Sequence, residues 1–373
     1  MKIATFNIEN LFHRDENLVG RANRDSGPRW MKELEHLLYK DQKEDADYKR
    51  MRQLSFLLGF YTSPLDPYVV MRRRNGKLYL RQRNAKTDFK ASQLSDWNGW
   101  IRLHTVPVNE VATKNKAKII SEANPDILLL QEVEDRQSLI EFNEHYLPKE
   151  VKFSDIMVIP GNDSRGLEMG ILTKNGYHVR SFKSHANDIY DEGKFFDKDF
   201  QEFEIITPKG ESLWILSVHL TEDEMDKKDN DARRLMQSKL VARIYRKVIR
   251  ERSQNVLVMG TFNAPSYCKS IAPVIKETDL KDIKIHRSFN IELDKGKDAD
   301  YHSLGAYKMG VNFKQRDYML LSPSLFEGVT DSGLNRKGVW PKKKNQYRTL
   351  LTLQAEFHQA STHPLVWVEI GDA

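Results

Sequence analysis

Short apolar runs recur along the chain at Ile127 to Leu130, Met169 to Leu172, Leu213 to Val218, Val256 to Met259 and Tyr318 to Leu321. Each is rich in β-branched or long aliphatic residues and is bounded by turn or charge signals, which predicts strands buried on both faces. Met1 to Ile8 already alternates like a strand. Between these runs the period changes to that of a helix. One helix is predicted to begin near Asp231, with Leu235, Leu240, Ile244 and Val248 on one face and its Arg and Lys residues turned outward. A second runs from Val111 to Ala123 and is stopped by Pro125, because the residue before a proline is pushed out of helical geometry. Strand, helix and strand alternate, so the class is α/β or a layered α/β sandwich. No period of 20 to 50 residues suggests a solenoid or propeller.

The stretch from Arg14 to about Trp100 breaks this rhythm and reads as an insertion, at about 14–100, into a single domain spanning 1–373. Within it, Trp30, Leu34, Leu37 and Leu38 predict one helix, and Val69 to Leu80 predicts a hairpin turning at Asn75-Gly76. Arg72, Arg73, Arg74 and Lys77 on that hairpin suit contact with a nucleic-acid backbone, and equally suit a solvated edge guarded against aggregation. Arg336-Lys337 and Lys342-Lys343-Lys344 form further basic clusters open to both readings.

Composition narrows the picture little. Of 373 residues 39% are hydrophobic, enough for one large core or two small ones, and the net charge of +6 only mildly favours polyanionic partners. The lone cysteine, Cys268, excludes an intrachain disulfide and a cysteine-based metal site, which fits a reducing compartment. The N-terminal residues lack a cleavable leader pattern, and no segment has the roughly 20 consecutive apolar residues of a membrane span. A cytoplasmic location is expected.

The chemistry is carried by polar residues at or just beyond the ends of the apolar strands, where open α/β architectures collect ligands. The segments are Thr5-Phe6-Asn7-Ile8-Glu9-Asn10, Leu129-Leu130-Gln131-Glu132-Val133, Leu216-Ser217-Val218-His219-Leu220, Met259-Gly260-Thr261-Phe262-Asn263-Ala264-Pro265 and Gln359-Ala360-Ser361-Thr362-His363-Pro364. In this order, and with Asp317-Tyr318 before the last, they resemble the signature of the endonuclease/exonuclease/phosphatase superfamily, bacterial branch. Asn162 to Ile171, which contains Arg165-Gly166 and Glu168, is similar to a further segment of many bacterial members. The resemblance implies two mixed β-sheets packed face to face with helices outside, a four-layered sandwich. It implies Mg or Mn held by Glu132 with Asn7 beside it, and catalytic roles for His219, His363, Asn263, Asp317 and Glu168. His363 would pair with Asp317, and His219 with Glu168. A hard cation suits carboxylate and amide oxygens, and a histidine near a phosphate acts best when a carboxylate fixes its tautomer.

Two expected aspartates are threonines. The family's G-D-F-N reads Gly260-Thr261-Phe262-Asn263, and its S-D-H reads Ser361-Thr362-His363. A threonine hydroxyl is a poor base and carries no charge, so each replacement should weaken cation binding and slow catalysis. The implied function is a metal-dependent phosphoester hydrolase of nuclease or phosphodiesterase type, impaired at these two positions. The alternative on the same fold is a catalytically silent module that binds a phosphate ligand or nucleic acid.

Overall fold

The computed structural model describes residues 1–11, 13–14, 26–57, 69–73, 99–103, 106–163, 165–190, 193–222, 227–291, 315–341 and 347–371. The chain divides into two compact units. One comprises Met1–Glu9, Asn109–Val133 and Ile140–Ala373; the other comprises Asn10–Val108 and Glu134–Leu139.

The first unit is built on two mixed sheets. Seven strands lie in the order Phe289–Ile291, Val329–Asn335, Leu365–Ile370, Lys2–Asn7, Ile127–Val133, Glu168–Thr173 and Asp155–Ile159. Six lie in the order Lys281–Asp282, Asp317–Leu321, Val256–Thr261, Ser212–His219, Asp199–Ile206 and His178–Ser184. Residue alternation explains how they stack. Leu213, Ile215, Leu257, Met259, Met319 and Leu321 point inward to meet Ile3, Ile127, Leu129 and Ile171 of the other sheet in one buried cluster. Their neighbours Trp214, Leu216, Val218, Val256, Val258, Tyr318 and Leu320 point the other way and are covered by Leu240, Val241, Tyr245 and Val248 of the helix Lys227–Glu251. Both faces of these strands are therefore dry, which is why the sequence shows continuous apolar runs instead of alternation. Each large side chain so buried stabilises the fold by roughly 1.5–3 kcal/mol. The architecture is the α/β sandwich that the motif order implied.

The five expected core strands and both expected helices of this unit are present, with small differences. The long helix turns a slightly different face inward: Leu235 is half-buried, while Arg234 is buried and donates to the Thr221 carbonyl through Nε at 2.9 Å. Its cations therefore do not all face outward, because a guanidinium can be buried when carbonyl and carboxylate partners satisfy it. The other helix, Glu110–Ala123, is capped by the side chain of Asn109 and ends at Asn124 in a left-handed conformation, φ 45°. Among the described residues no helix is long and apolar enough to cross a membrane.

The second unit contains the helices Ser26–Tyr39 and Asp45–Leu57, which bury Leu34, Leu38, Met51 and Leu54 and are bridged by Arg50 and Glu33 at 2.6 Å. Val69–Arg73 pairs antiparallel with Gly99–Leu103. The expected turn, with Arg74 and Lys77, lies outside the described residues. Arg72 and Arg73 stand opposite Trp100 and Gly99 in the ladder.

Candidate active site

Strand direction brings the motifs to one rim. Lys2–Asn7 runs parallel to Ile127–Val133, and Ser212–His219 runs parallel to Val256–Thr261, so Asn7, Glu132, His219 and Thr261 all sit at or near C-terminal ends. Asp317 opens an antiparallel strand with its register opposite Thr261, and Glu168 opens another opposite Val133. Gly260 is what lets this rim close. Its φ is 132°, and a Cβ there would lie 2.1 Å from the Val218 carbonyl oxygen. Only glycine fits.

At Glu132 the ladder is interrupted by an irregularity between Leu130 and Val133, and Glu132 itself adopts φ 62°. Glu9 and Asn263 share this left-handed region, at 46° and 54°. On the opposite side, the buried ammonium of Lys116 donates to the Ile8 carbonyl at 2.8 Å and to that of Ala360, tying the exit of the first strand to the loop that carries His363.

The side chains form two adjoining groups. The first is a dyad: His363 Nδ1 lies 2.7 Å from Asp317 Oδ2. Burial opposes a charged imidazole, but the Asp317 carboxylate outweighs it and holds the His363 pKa above its ordinary value. Thr261 Oγ1 donates to Asp317 Oδ1 at 2.8 Å and accepts from Asn7 Nδ2 at 3.3 Å. The Asn7 amide oxygen accepts the Glu9 N–H at 3.2 Å. The Asn7 amide nitrogen thus serves the threonine, and its oxygen accepts from the turn after the strand. Asn263 Nδ2 donates to the Leu220 carbonyl at 2.9 Å and braces the loop after the histidine strand. Thr362 is exposed, receives a hydrogen bond from Arg316, and gives its N–H to Glu9 Oε2 at 2.9 Å.

The second group is ionic. Arg165 Nη2 lies 3.2 Å from Glu132 Oε1, 3.1 Å from Glu222 Oε1 and 2.7 Å from Asp163 Oδ2. Lys198 Nζ adds contacts to Glu222 at 3.3 Å and Asp163 at 3.6 Å. Burial raises the Glu132 pKa, with Arg165 opposing. Burial acts the same way on Asp163, but there the Arg165 hydrogen bond and the Lys198 charge win and hold the carboxyl well below the usual range. Burial first, and then Lys198, drive the His219 pKa well below its ordinary value, so its imidazole is neutral. Its Nε2 is buried without a hydrogen-bond partner, and the nearest carboxylate oxygens are Glu132 and Glu222 at 3.7 and 3.8 Å. Glu168 does not take the His219 partnership expected of it: its carboxylate accepts the Gly161 N–H at 2.5 Å, a donor in the neighbouring loop.

Glu132, His219 and Glu222 offer ligand atoms that all lie within 4.8 Å of one another. Two carboxylates and a neutral imidazole with a buried, unsatisfied nitrogen suit a divalent ion, and the mixed nitrogen and oxygen donors favour Mn²⁺ over Mg²⁺. Reasoning from the sequence missed Glu222, although it stands three residues after His219. It also passed over Arg165, Asp163, Lys198 and Glu9, whose roles depend on contacts between distant segments.

Residues 87–335 match the model of the Endonuclease/Exonuclease/phosphatase family. None of the curated proteins compared with the chain matches it in sequence. Similar solved structures include a mannosyl-6-phosphatase of Bacteroides thetaiotaomicron, 15% identical, covering 70% of this chain and 92% of its own at a TM-score of 0.46. Truncated TDP2 of Caenorhabditis elegans is 18% identical, with coverages of 69% and 90% and a TM-score of 0.44. The human Nocturnin catalytic domain is 11% identical, with coverages of 70% and 87% and a TM-score of 0.44.

Proposed function

The chain belongs to the endonuclease/exonuclease/phosphatase family, and from that premise we propose that it hydrolyses phosphate esters, with the Asp317–His363 dyad handling the proton and a divalent cation held by Glu132, Glu222 and His219. The observation that carries this reading is the 2.7 Å contact between His363 Nδ1 and Asp317 beside that cluster.

Asp317 fixes the ring so that Nε2 faces away from the carboxylate, and its charge favours a proton on the imidazole near neutral pH. His363 can then donate from Nε2 to a phosphate or leaving-group oxygen. His219 stays neutral and presents Nε2 to the cluster. Asn7 and Asn263 act on position, through Thr261 and the Leu220 carbonyl. When bound, the cation supplies charge neutralisation at the non-bridging oxygens. Because Thr261 is no base, turnover should be slow.

Nucleic acid is the proposed substrate class, on the ground of the basic run Arg72-Arg73-Arg74 in the sequence. A second reading, a silent phosphate-binding module, is favoured by Thr261, whose hydroxyl is spent on Asp317 where the family expects an acid.

The test is hydrolysis of bis(p-nitrophenyl) phosphate with Mn²⁺ and with chelator, for the wild type and His363→Ala. Chelator-sensitive turnover that falls by about 10²–10⁴ in the variant supports the hydrolase. Absent turnover with retained binding of a phosphonate analogue moves the assignment to the binding module.

A further inference from the structure

Arg165 contacts two of the three residues that could hold a cation. Its Nη2 contacts Glu132 Oε1 and Glu222 Oε1, the same two oxygens that face His219 Nε2. A guanidinium and a divalent ion would compete for the negative charge of these oxygens. The arginine is anchored from the other side, since Asp163 receives both its Nε, at 3.0 Å, and its Nη2, at 2.7 Å. That two-point grip is the strongest geometry available to an arginine and a carboxylate. Asp163 is itself buried, 3% exposed at the side chain, and is further paired with Lys198. Arg165 can therefore release Glu132 and Glu222 without leaving the site.

Charge points the same way. Three acids, Glu132, Asp163 and Glu222, meet two internal cations, Arg165 and Lys198. The threonines at 261 and 362 add no anion to that group. Two of the three carboxylate charges in that ionic group are thus already matched by its own cations, with Glu9 acting on Glu132 from outside it.

We propose that Arg165 is a resident counter-ion of this site: it occupies Glu132 and Glu222 until a divalent cation displaces it, and then, still held by Asp163, it offers its freed Nη2 hydrogen to the phosphoester anion. Cation binding and the Arg165 contacts are mutually exclusive. This inference rests on the cation position proposed above, and metal binding separates the failure of one from the failure of the other.

The experiment measures Mn²⁺ binding by calorimetry, and melting temperature with and without Mn²⁺, for the full-length wild type, Arg165→Met and Arg165→Lys. Arg165→Met should bind Mn²⁺ at least about tenfold more tightly and show the larger Mn²⁺-dependent rise in melting temperature. Arg165→Lys, which keeps the charge but loses the fork, should fall between it and the wild type. If Arg165→Met folds only when Mn²⁺ is added, the counter-ion role is supported by that dependence. Equal Mn²⁺ affinity in all three overturns the role of Arg165 and leaves the cation site standing. No Mn²⁺ binding in any of them overturns both.

Discussion

Thr261 Oγ1 donates a 2.8 Å hydrogen bond to Asp317, the carboxylate that also holds His363. The threonine is thus a neutral partner that leaves Asp317 as the one acid of the dyad, and more than a missing base. Thr261→Asp would set two carboxylates against each other, and without a cation it should cost about 1–3 kcal/mol of stability. Adding Mn²⁺ should reverse the loss. Thermal melts of both proteins in chelator and in Mn²⁺ check this, and identical melts would place position 261 outside the cation's reach.

The two histidines should respond to pH in opposite senses. His363 has its folded pKa raised above 6.5, so its contribution to stability is complete below that value and is lost as pH rises through the folded pKa. His219 has its folded pKa lowered, so its contribution is present above 6.5 and is lost as pH falls. Asp317→Asn should flatten the decline above pH 6.5, and His219→Gln should flatten the decline below it. Stability against denaturant across pH 5 to 8.5 separates the two limbs, and unchanged limbs would contradict the Asp317 pairing of His363 and the burial of His219 as their causes.

Lys116 is fully buried and bonded to the Ile8 and Ala360 carbonyls. Lys116→Met keeps the volume but leaves both carbonyls without that donor, at a cost of about 2–4 kcal/mol. The loop bearing His363 should loosen in step, visible as faster amide exchange at 359–363. A fully stable variant with protected amides would show that the lysine is not the tie.

Replacing Arg72, Arg73, Arg74 and Lys77 with serine tests the basic stretch of the sequence. If these residues follow a phosphate backbone, the slope of log K against log salt for single-stranded DNA should shrink by up to about 3, near 0.7 per lost contact. An unchanged slope returns them to the role of a solvated edge.

Much of this could be read from the sequence where chemistry is local. Both faces of the strands around Ile215, Val258 and Leu320 are covered, so their apolar runs were visible, and the family resemblance implied the Asp317–His363 pairing that the structure contains. Asp199–Ile206 was harder to see because Glu202 and Glu204 interrupt its apolar residues, and these acids face His185 and Ser212 across the sheet. The ionic group was invisible for a different reason. Arg165 joins residues 33 positions before it and 57 after it, and no local period encodes such a meeting. Glu168 shows the converse: the right residue type in the right segment was captured by a nearer backbone N–H.

Glu9 and Glu132 both hold left-handed backbone that glycine would adopt freely, at a cost of roughly 1–2 kcal/mol each. The same twist turns their carboxylates toward the rim. A library of this protein selected only for heat resistance should therefore drift toward glycine at positions 9 and 132, and lose the site as it hardens. Retention of glutamate at both positions among natural variants would then be a signature of selection for chemistry, readable without any assay.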